Sequence, residues 1–312
     1  MEHSNELVRK ARQLSWQNFG QKITFYLPGM FCYEGQRGKY PAISITGDHC
    51  QLNCAHCAGK LLTSMIPTLS GEELLETCLQ LERDGFLGCL ISGGSQKDGT
   101  LPWEKFLPAI AEVKKSTNLH ISIHSGFIDY KTAVLLKQAG VDQALFDCIG
   151  DEETLRNVFH LPFTLSKVEE SLSALKEANI PVIPHIILGL NKGKIISEYQ
   201  ALEMVARIEP PLLVVVILMP LCDTPMETCP LPPPKEVGIF LARARLSLPK
   251  TVISLGCARP RNKYGEEIGI LAIDTGVNRM ALWSEKALEE AKRLELETFF
   301  KNTCCSVGPF EG

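Results

Sequence analysis

No apolar run in this chain approaches the ~20 residues that a helix needs to cross a bilayer. The opening segment MEHSNELVRKARQLSW mixes charges and has no apolar core of the kind an export signal carries. These absences exclude a membrane-spanning or secreted reading, and a cytoplasmic location is expected. An excess of one charge is missing as well: 32 Lys and Arg face 36 Asp and Glu, for a net charge of -4 and a pI near 6.0. Neither nucleic acid nor a membrane surface is therefore an expected partner. Internal low-complexity tracts are also lacking. What is abundant is cysteine, 12 in 312 residues. A reducing compartment does not support a disulfide framework of that size, which leaves metal or redox chemistry to account for at least some of these thiols.

Three of the cysteines stand close together. The stretch Ile43 to Cys57, ISITGDHCQLNCAHC, carries Cys50, Cys54 and Cys57 directly after a short apolar run. Three thiolates at this spacing suit a loop around a soft metal centre, an iron-sulfur cluster or zinc. Structural zinc wants four protein ligands. The local set stops at three, which leaves one iron of a four-iron cluster open to a small molecule.

From residue 40 onward, β-rich apolar runs alternate with amphipathic helical stretches, the pattern of repeated βα units around a parallel sheet. Strand candidates are Ala42 to Thr46, Gly88 to Ser92, Leu119 to His124, Gln143 to Asp147, Val182 to Leu188, Leu213 to Met219, Thr251 to Leu255 and Val277 to Leu282. Eight such units, over a length of roughly 250 residues, predict an α/β fold, a (β/α)8 TIM-type barrel. The barrel is expected over 40–296, with a short N-terminal extension at 1–39 and a C-terminal tail at 297–312. Helical spacing of Leu74, Leu75, Cys78 and Leu79, of Val168, Leu172 and Leu175, and of the apolar residues in Glu285 to Leu296 supports helices on the outside. Ser70 with Glu73, and Ser166 with Glu169, read as capping boxes. In the third strand, LHISIH alternates so that His120, Ser122 and His124 point into the lumen. Asp147 and His185 face the same space, predicting a polar interior rather than the apolar filling common in these barrels. The Pro-rich loop Cys222 to Pro234 follows the sixth strand on the C-terminal face, where such loops build active sites.

Of the nine remaining cysteines, Cys78, Cys89 and Cys148 read as packing, and Cys222 and Cys229 are loop cysteines with no assigned partner. Cys257, in LGCARPR just past the seventh strand, lies on the C-terminal face, and Cys304 and Cys305 are adjacent in the tail. A second cluster held by these three is expected, with Cys32 or Ser306 as the fourth ligand. Cys32 reaches them only if the N-terminal segment folds across the barrel. The alternative is a reactive or structural pair in the tail.

The triple-cysteine loop resembles the signature of the radical S-adenosylmethionine (radical SAM) superfamily, whose open iron binds the amino and carboxylate groups of SAM. That resemblance implies a [4Fe-4S] cluster with SAM, a flat residue before the third cysteine, here His56, and cofactor contacts from the Gly93, Gly94 and Ser95 turn. It further nominates Ile187 and Gly189, in IILGL, for the adenine, and Asp147 with the GDEET segment for the ribose, although Asp151 is equally a helix cap. Ser122 and His124 complete the expected cofactor-facing set. Over residues about 25 to 305, the motifs FYLPGM, PAISITGDHCQLNCAHC, ISGGS, GCARPR and the terminal CCS resemble the biotin-synthase homologues that include two-protein lipoyl synthases. The implied activity is sulfur insertion into a protein-bound octanoyl chain, with the second [4Fe-4S] cluster as sulfur donor. The implied partners are an octanoylated lipoyl-carrier protein or peptide, a sister radical SAM subunit and a ferredoxin-like electron donor. Two features depart from the relatives: the N-terminal three-cysteine motif of single-chain lipoyl synthases is missing, and histidines occupy the third strand where biotin synthase has a cluster cysteine. The alternatives are a biotin-synthase-like or other radical SAM reaction on a free small molecule, and, outside enzymes, an iron-sulfur or zinc binding protein.

Overall fold

The computed structural model describes residues 2–308; the end of the predicted tail, 309–312, lies outside the described residues. Helix α1 (Glu2–Phe19) leads into strand β1 (Lys22–Tyr26) and a small hairpin of β2 (Cys32–Tyr33) and β3 (Gln36–Arg37). The repeated units follow: β4 (Ala42–Ser44), β5 (Ile66–Pro67), α2 (Gly71–Arg83), β6 (Gly88–Ser92), α3 (Leu107–Ser116), β7 (His120–His124), α4 (Tyr130–Gln138) and β8 (Gln143–Asp147). Next come α5 (Glu152–Asn157), α6 (Leu165–Glu177), β9 (Val182–Leu188), α7 (Ser197–Ile208), β10 (Leu212–Ile217), α8 (Pro234–Ser247) and β11 (Val252–Leu255). The chain continues through α9 (Lys263–Asp274), β12 (Arg279–Ala281), α10 (Glu285–Arg293) and β13 (Glu297–Lys301).

All eight predicted strands are present, as β4 and β6 to β12, and they pair in parallel in chain order. The sheet curls as a TIM-type barrel does, but it holds 11 strands in the order β13-β1-β12-β11-β10-β9-β8-β7-β6-β4-β5. The predicted extensions are therefore not appendages. β1 comes from the segment 1–39 and sits between β12 and β13, and β13 comes from the tail. Helix α1 packs on α8, and Ser15 Oγ donates to the Gly276 carbonyl at 2.6 Å. The boundaries at 39/40 and 296/297 thus cut through one sheet.

Of the two predicted capping boxes one forms in part, with Glu73 reaching the Leu69 amide rather than that of Ser70. Ser70 Oγ accepts from Glu73 N at 3.2 Å, and the Glu73 carboxylate accepts from Leu69 N at 2.6 Å. Helix α6 instead starts after Thr164, whose hydroxyl meets Ser166 Oγ at 2.7 Å, and Glu169 pairs with Arg207 at 2.7 Å on the surface. Thr164, two residues earlier, takes the extended cap position, which turns Ser166 into an ordinary first-turn residue.

The main core lies between the sheet and its helices, with Ile23, Phe25, Ile91, Ile121, Ile123 and Leu213 buried there. A second, smaller apolar cluster of Leu145, Ile183, Leu212, Val214 and Val216, with Leu90 and Ile187 against it, lies on the other face of the strands. This corrects the expected polar interior. The lumen is apolar along β8 to β10 and polar where β7, the ends of β8 and β9, and the tail contribute.

Candidate active site

The cysteine loop follows β4. Positive φ at Gly47, Asn53, Ala58 and Gly59 folds it back on itself. Its backbone is tied to two neighbours: Gln51 N and Leu52 N donate to the Ser95 carbonyl at 2.9 and 3.3 Å, and Ala55 N donates to the Val158 carbonyl at 2.7 Å. Gly94 is required here, because a Cβ on it would lie 2.0 Å from the His49 oxygen. Donor atoms of Cys54, His56 and Cys57 all fall within 4.8 Å of one another; among the described residues no other three metal-ligating His, Cys, Asp or Glu side chains do so. The Cys50 thiol borders the same space and donates to the Ser95 carbonyl at 3.9 Å.

Electrostatics prepares this group for a soft cation. A hydrogen bond from Cys54 brings the Cys57 pKa down to about 4, against the effect of burial, and His56 adds to the lowering. The same hydrogen bond, together with burial, pushes Cys54 up. His56 Nδ1 is buried without a hydrogen-bond partner, and its ring lies 5.1 Å from Phe159.

One cavity is lined by Cys50, Cys54, His56 and Cys57 and by Gly93, Gly94, Ser95, His124 and Asp147. The structure thus gathers most of the predicted cofactor-facing residues and leaves three out. Ser122 is 1 % exposed and bonded to Tyr40 Oη at 2.6 Å and to Gln143 Nε2 at 2.9 Å, at a deeper level of the lumen. Ile187 packs in the inner apolar cluster. The Gly189 amide donates to Glu198 at 2.8 Å, and its φ of 94° serves the turn after β9. Asp151 caps α5, accepting from Thr154 N at 2.6 Å, so its carboxylate is committed to the helix. Phe127, Phe146 and Phe159 give the cavity an apolar wall that periodicity did not single out, because they sit in loops or on strand positions that read as core.

His124 Nε2 lies 3.5 Å from Asp147 Oδ1, and the His185 ring is 6.1 Å from that of His124. His120 is separate, at the start of β7, with Nδ1 2.7 Å from Tyr40 Oη. Burial opposes the His124 imidazolium, but the Asp147 charge and hydrogen bond outweigh it and raise its pKa. Burial likewise opposes the Asp147 carboxylate, yet His124 and His185 hold it down to about 2. Burial brings His185 down to about 4. The two histidines therefore act with opposite signs. Stability gained at His124 is complete below its unfolded value of ~6.5 and is lost as pH rises through its higher folded value. That from neutral His185 is complete above ~6.5 and is lost as pH falls toward about 4. In metal-free Asp147→Asn protein, NMR titration is expected to find the His124 pKa lower than in wild type; an unchanged value would remove Asp147 as its partner.

The tail enters the barrel. Tyr26, Ala281 and Cys305 form a buried cluster with Cys257 against it, and Cys304 Sγ lies 3.0 Å from Ser306 Oγ. A hydrogen bond from Cys305, against burial, brings Cys304 down to about 6. That bond and burial raise Cys305, while the Ser254 hydroxyl works the other way. Burial and the Cys304 charge push Cys257 up to about 11. Of the predicted second set, Cys257, Cys304, Cys305 and Ser306 are thus neighbours. Cys32 is not: it stays exposed on the β2–β3 hairpin, bordering a groove with Phe31, Arg261 and Trp283. Ser254, fully buried on β11, was missed, and its only signal is a hydroxyl in the apolar run TVISL.

The sequence profile of the Radical SAM superfamily matches residues 44–197, the cysteine loop and the strands around it. Biotin synthase of Pelotomaculum thermopropionicum is 30% identical over 248 residues, covering 76% of this chain and 74% of that protein. The chain belongs to the radical SAM superfamily. The Pelotomaculum match puts it in the biotin-synthase-like branch, and biotin synthase of Clostridioides difficile is 26% identical over 240 residues, 73% of this chain and 70% of that one. Among solved structures, methylornithine synthase superposes with a TM-score of 0.62 at 18% identity, over 94% of this chain and 88% of that one. The hydrogenase maturase HydG superposes with a TM-score of 0.68 at 17% identity, over 95% and 68%; both show the shared fold. Membership implies a [4Fe-4S] cluster and SAM, and the site fits them: three soft donors, an unpartnered buried His56 nitrogen and a cavity that opens beside the Gly93 to Ser95 turn. No helix among the described residues is long and apolar enough to cross a membrane.

Proposed function

We propose that this radical SAM enzyme inserts sulfur into an unactivated carbon of a protein-bound octanoyl chain, as a lipoyl synthase subunit working with a sister radical SAM subunit. The observation that carries this reading is the tail laid inside the barrel, with Cys304, Cys305 and Ser306 beside Cys257. When bound, the cluster and SAM at Cys50, Cys54 and Cys57 supply reductive cleavage of the sulfonium and hydrogen abstraction. The chain's own residues hold that chemistry in a cavity whose apolar wall is Phe127, Phe146 and Phe159. The tail sulfurs are the candidate ligands of a sulfur-donating second cluster. Arg259, 5 % exposed and donating to the Gly256 and Leu282 carbonyls, sets positive charge beside Cys257 and Cys305. A ferredoxin-like protein is the proposed electron donor.

A second reading, sulfur insertion into a free small molecule, is favoured by the identity to biotin synthases. Reduced protein, with and without the sister subunit, is incubated with SAM and an octanoylated carrier peptide or desthiobiotin, and products are weighed by mass spectrometry. One or two added sulfurs on the peptide are expected. SAM cleavage with sulfur on desthiobiotin only would replace the first reading with the second. Iron should fall from about eight to about four per chain when Cys257, Cys304 and Cys305 become alanine.

A further inference from the structure

Two buried polar side chains spend their hydrogen bonds on the tail backbone. Gln143, 1 % exposed at the start of β8, donates from Nε2 to the Ser306 carbonyl at 2.8 Å and accepts at Oε1 from Gly308 N at 2.7 Å. Arg279, 8 % exposed at the start of β12, donates to the carbonyls of Cys305, at 3.2 Å, and Val307, with its guanidinium 5.2 Å from the Tyr26 ring centre. Gln143 is braced from behind by Ser122 at 2.9 Å, which Tyr40 holds at 2.6 Å. A buried amide and a buried guanidinium are costly without partners. Here residues 305–308 are the main partners on the lumen side, and the two grip them from opposite walls of the sheet. A cavity of about 890 Å³ lies against this segment, lined by Arg279, Tyr40, His120, Lys301, Val307 and Gly308.

We propose that Gln143 and Arg279 are positioning residues that clamp residues 305–308 inside the barrel and thereby aim Cys304 and Cys305 toward Cys257. The consequence for catalysis rests on the sulfur-insertion reading, whereas the clamp itself is measured without metal. Metal-free protein is treated with iodoacetamide, and the labelling of each cysteine is followed by mass spectrometry. Cys78 and Cys89, both fully buried between sheet and helices, report global unfolding. Gln143→Leu and Arg279→Met should each speed labelling of Cys305 by about tenfold, the effect of losing two buried hydrogen bonds, with Cys78 and Cys89 unchanged. Arg279→Lys, which keeps the charge on a single donor nitrogen, should lie between wild type and Arg279→Met. Rates within about twofold of wild type in both variants would overturn the clamp. Should a variant unfold, Cys78 and Cys89 react in step with the tail. Gln143→Ser and Arg279→Lys then decide by the same comparison. Iron content tests the functional reading separately: about four irons in wild type would end the second cluster and leave the clamp standing, while about eight falling to about four in Gln143→Leu would join the two.

Discussion

Cys54→Ala protein, reconstituted anaerobically with iron and sulfide, is expected to lose about four irons per chain and to release no 5'-deoxyadenosine above background when reduced with SAM. Cys54 is the most enclosed of the three loop cysteines, 6 % exposed, and its thiol is influenced by both Cys57 and Cys50. The two remaining thiolates cannot hold the same centre. His56 offers a third donor within 4.8 Å of Cys57, so residual metal in this variant would mark substitution by the imidazole, visible as an altered spectrum rather than wild-type signal. Folding is monitored by labelling of Cys78 and Cys89, which are fully buried on α2 and β6. Zinc in place of iron in the wild-type protein would overturn the radical SAM chemistry of this chain altogether.

Gly94→Ala should do nearly as much damage with a single methyl group. The added Cβ falls 2.0 Å from the His49 oxygen and 2.6 Å from Cys50 Cα, both backbone atoms of the cysteine loop, so the loop itself must move. Overpacking of this kind costs about 1–3 kcal/mol, and the displaced residue is Cys50. Cluster retention after gel filtration is expected to fall by about tenfold, in line with that cost. Gly93→Ala is the comparison. Its nearest neighbours, at 3.1 to 3.2 Å, are side-chain atoms of Ile45 and Thr46, which can shift by a few tenths of an ångström. Equal iron in the two variants would show that contact with the cysteine loop is not what Gly94 supplies.

The βα repeat is legible in the sequence for a simple reason. Strands of a covered parallel sheet are buried on at least one face throughout, and runs such as LLVVVI and VIPHIIL cannot be placed elsewhere. The cysteine loop is legible because all its donors lie in one short segment. β1 and β13 are not legible. KITFY buries Ile23 and Phe25, but it stands outside the βα repeat and nothing local says that it joins the sheet beside β12, while every residue of ETFFK is exposed, so that strand carries no buried face that would mark it as sheet. The tail's place in the lumen is set by Gln143 and Arg279, 163 and 26 residues from the atoms they hold. No local pattern encodes contacts at that range. Cys32 failed as a ligand for the same reason in reverse: its hairpin turns it outward, and spacing cannot report which way a loop turns. The alternation of LHISIH placed His120, Ser122 and His124 on one face correctly. It did not show that Tyr40 and Gln143 engage the first two, which leaves His124 to Asp147.

The insertion of β1 between β12 and β13 also dictates an order of events during translation. Thr24 pairs with Arg279, so the first strand has no neighbour in the sheet until more than 250 residues have followed it. At ~5–20 residues per second that wait is on the order of tens of seconds. Cys50, Cys54 and Cys57, with β4 and β6 behind them, emerge from the ribosome long before Cys257 and well before Cys304 and Cys305. The two groups of thiols thus leave the ribosome one after the other. The second group forms only once the last strand has closed over the first.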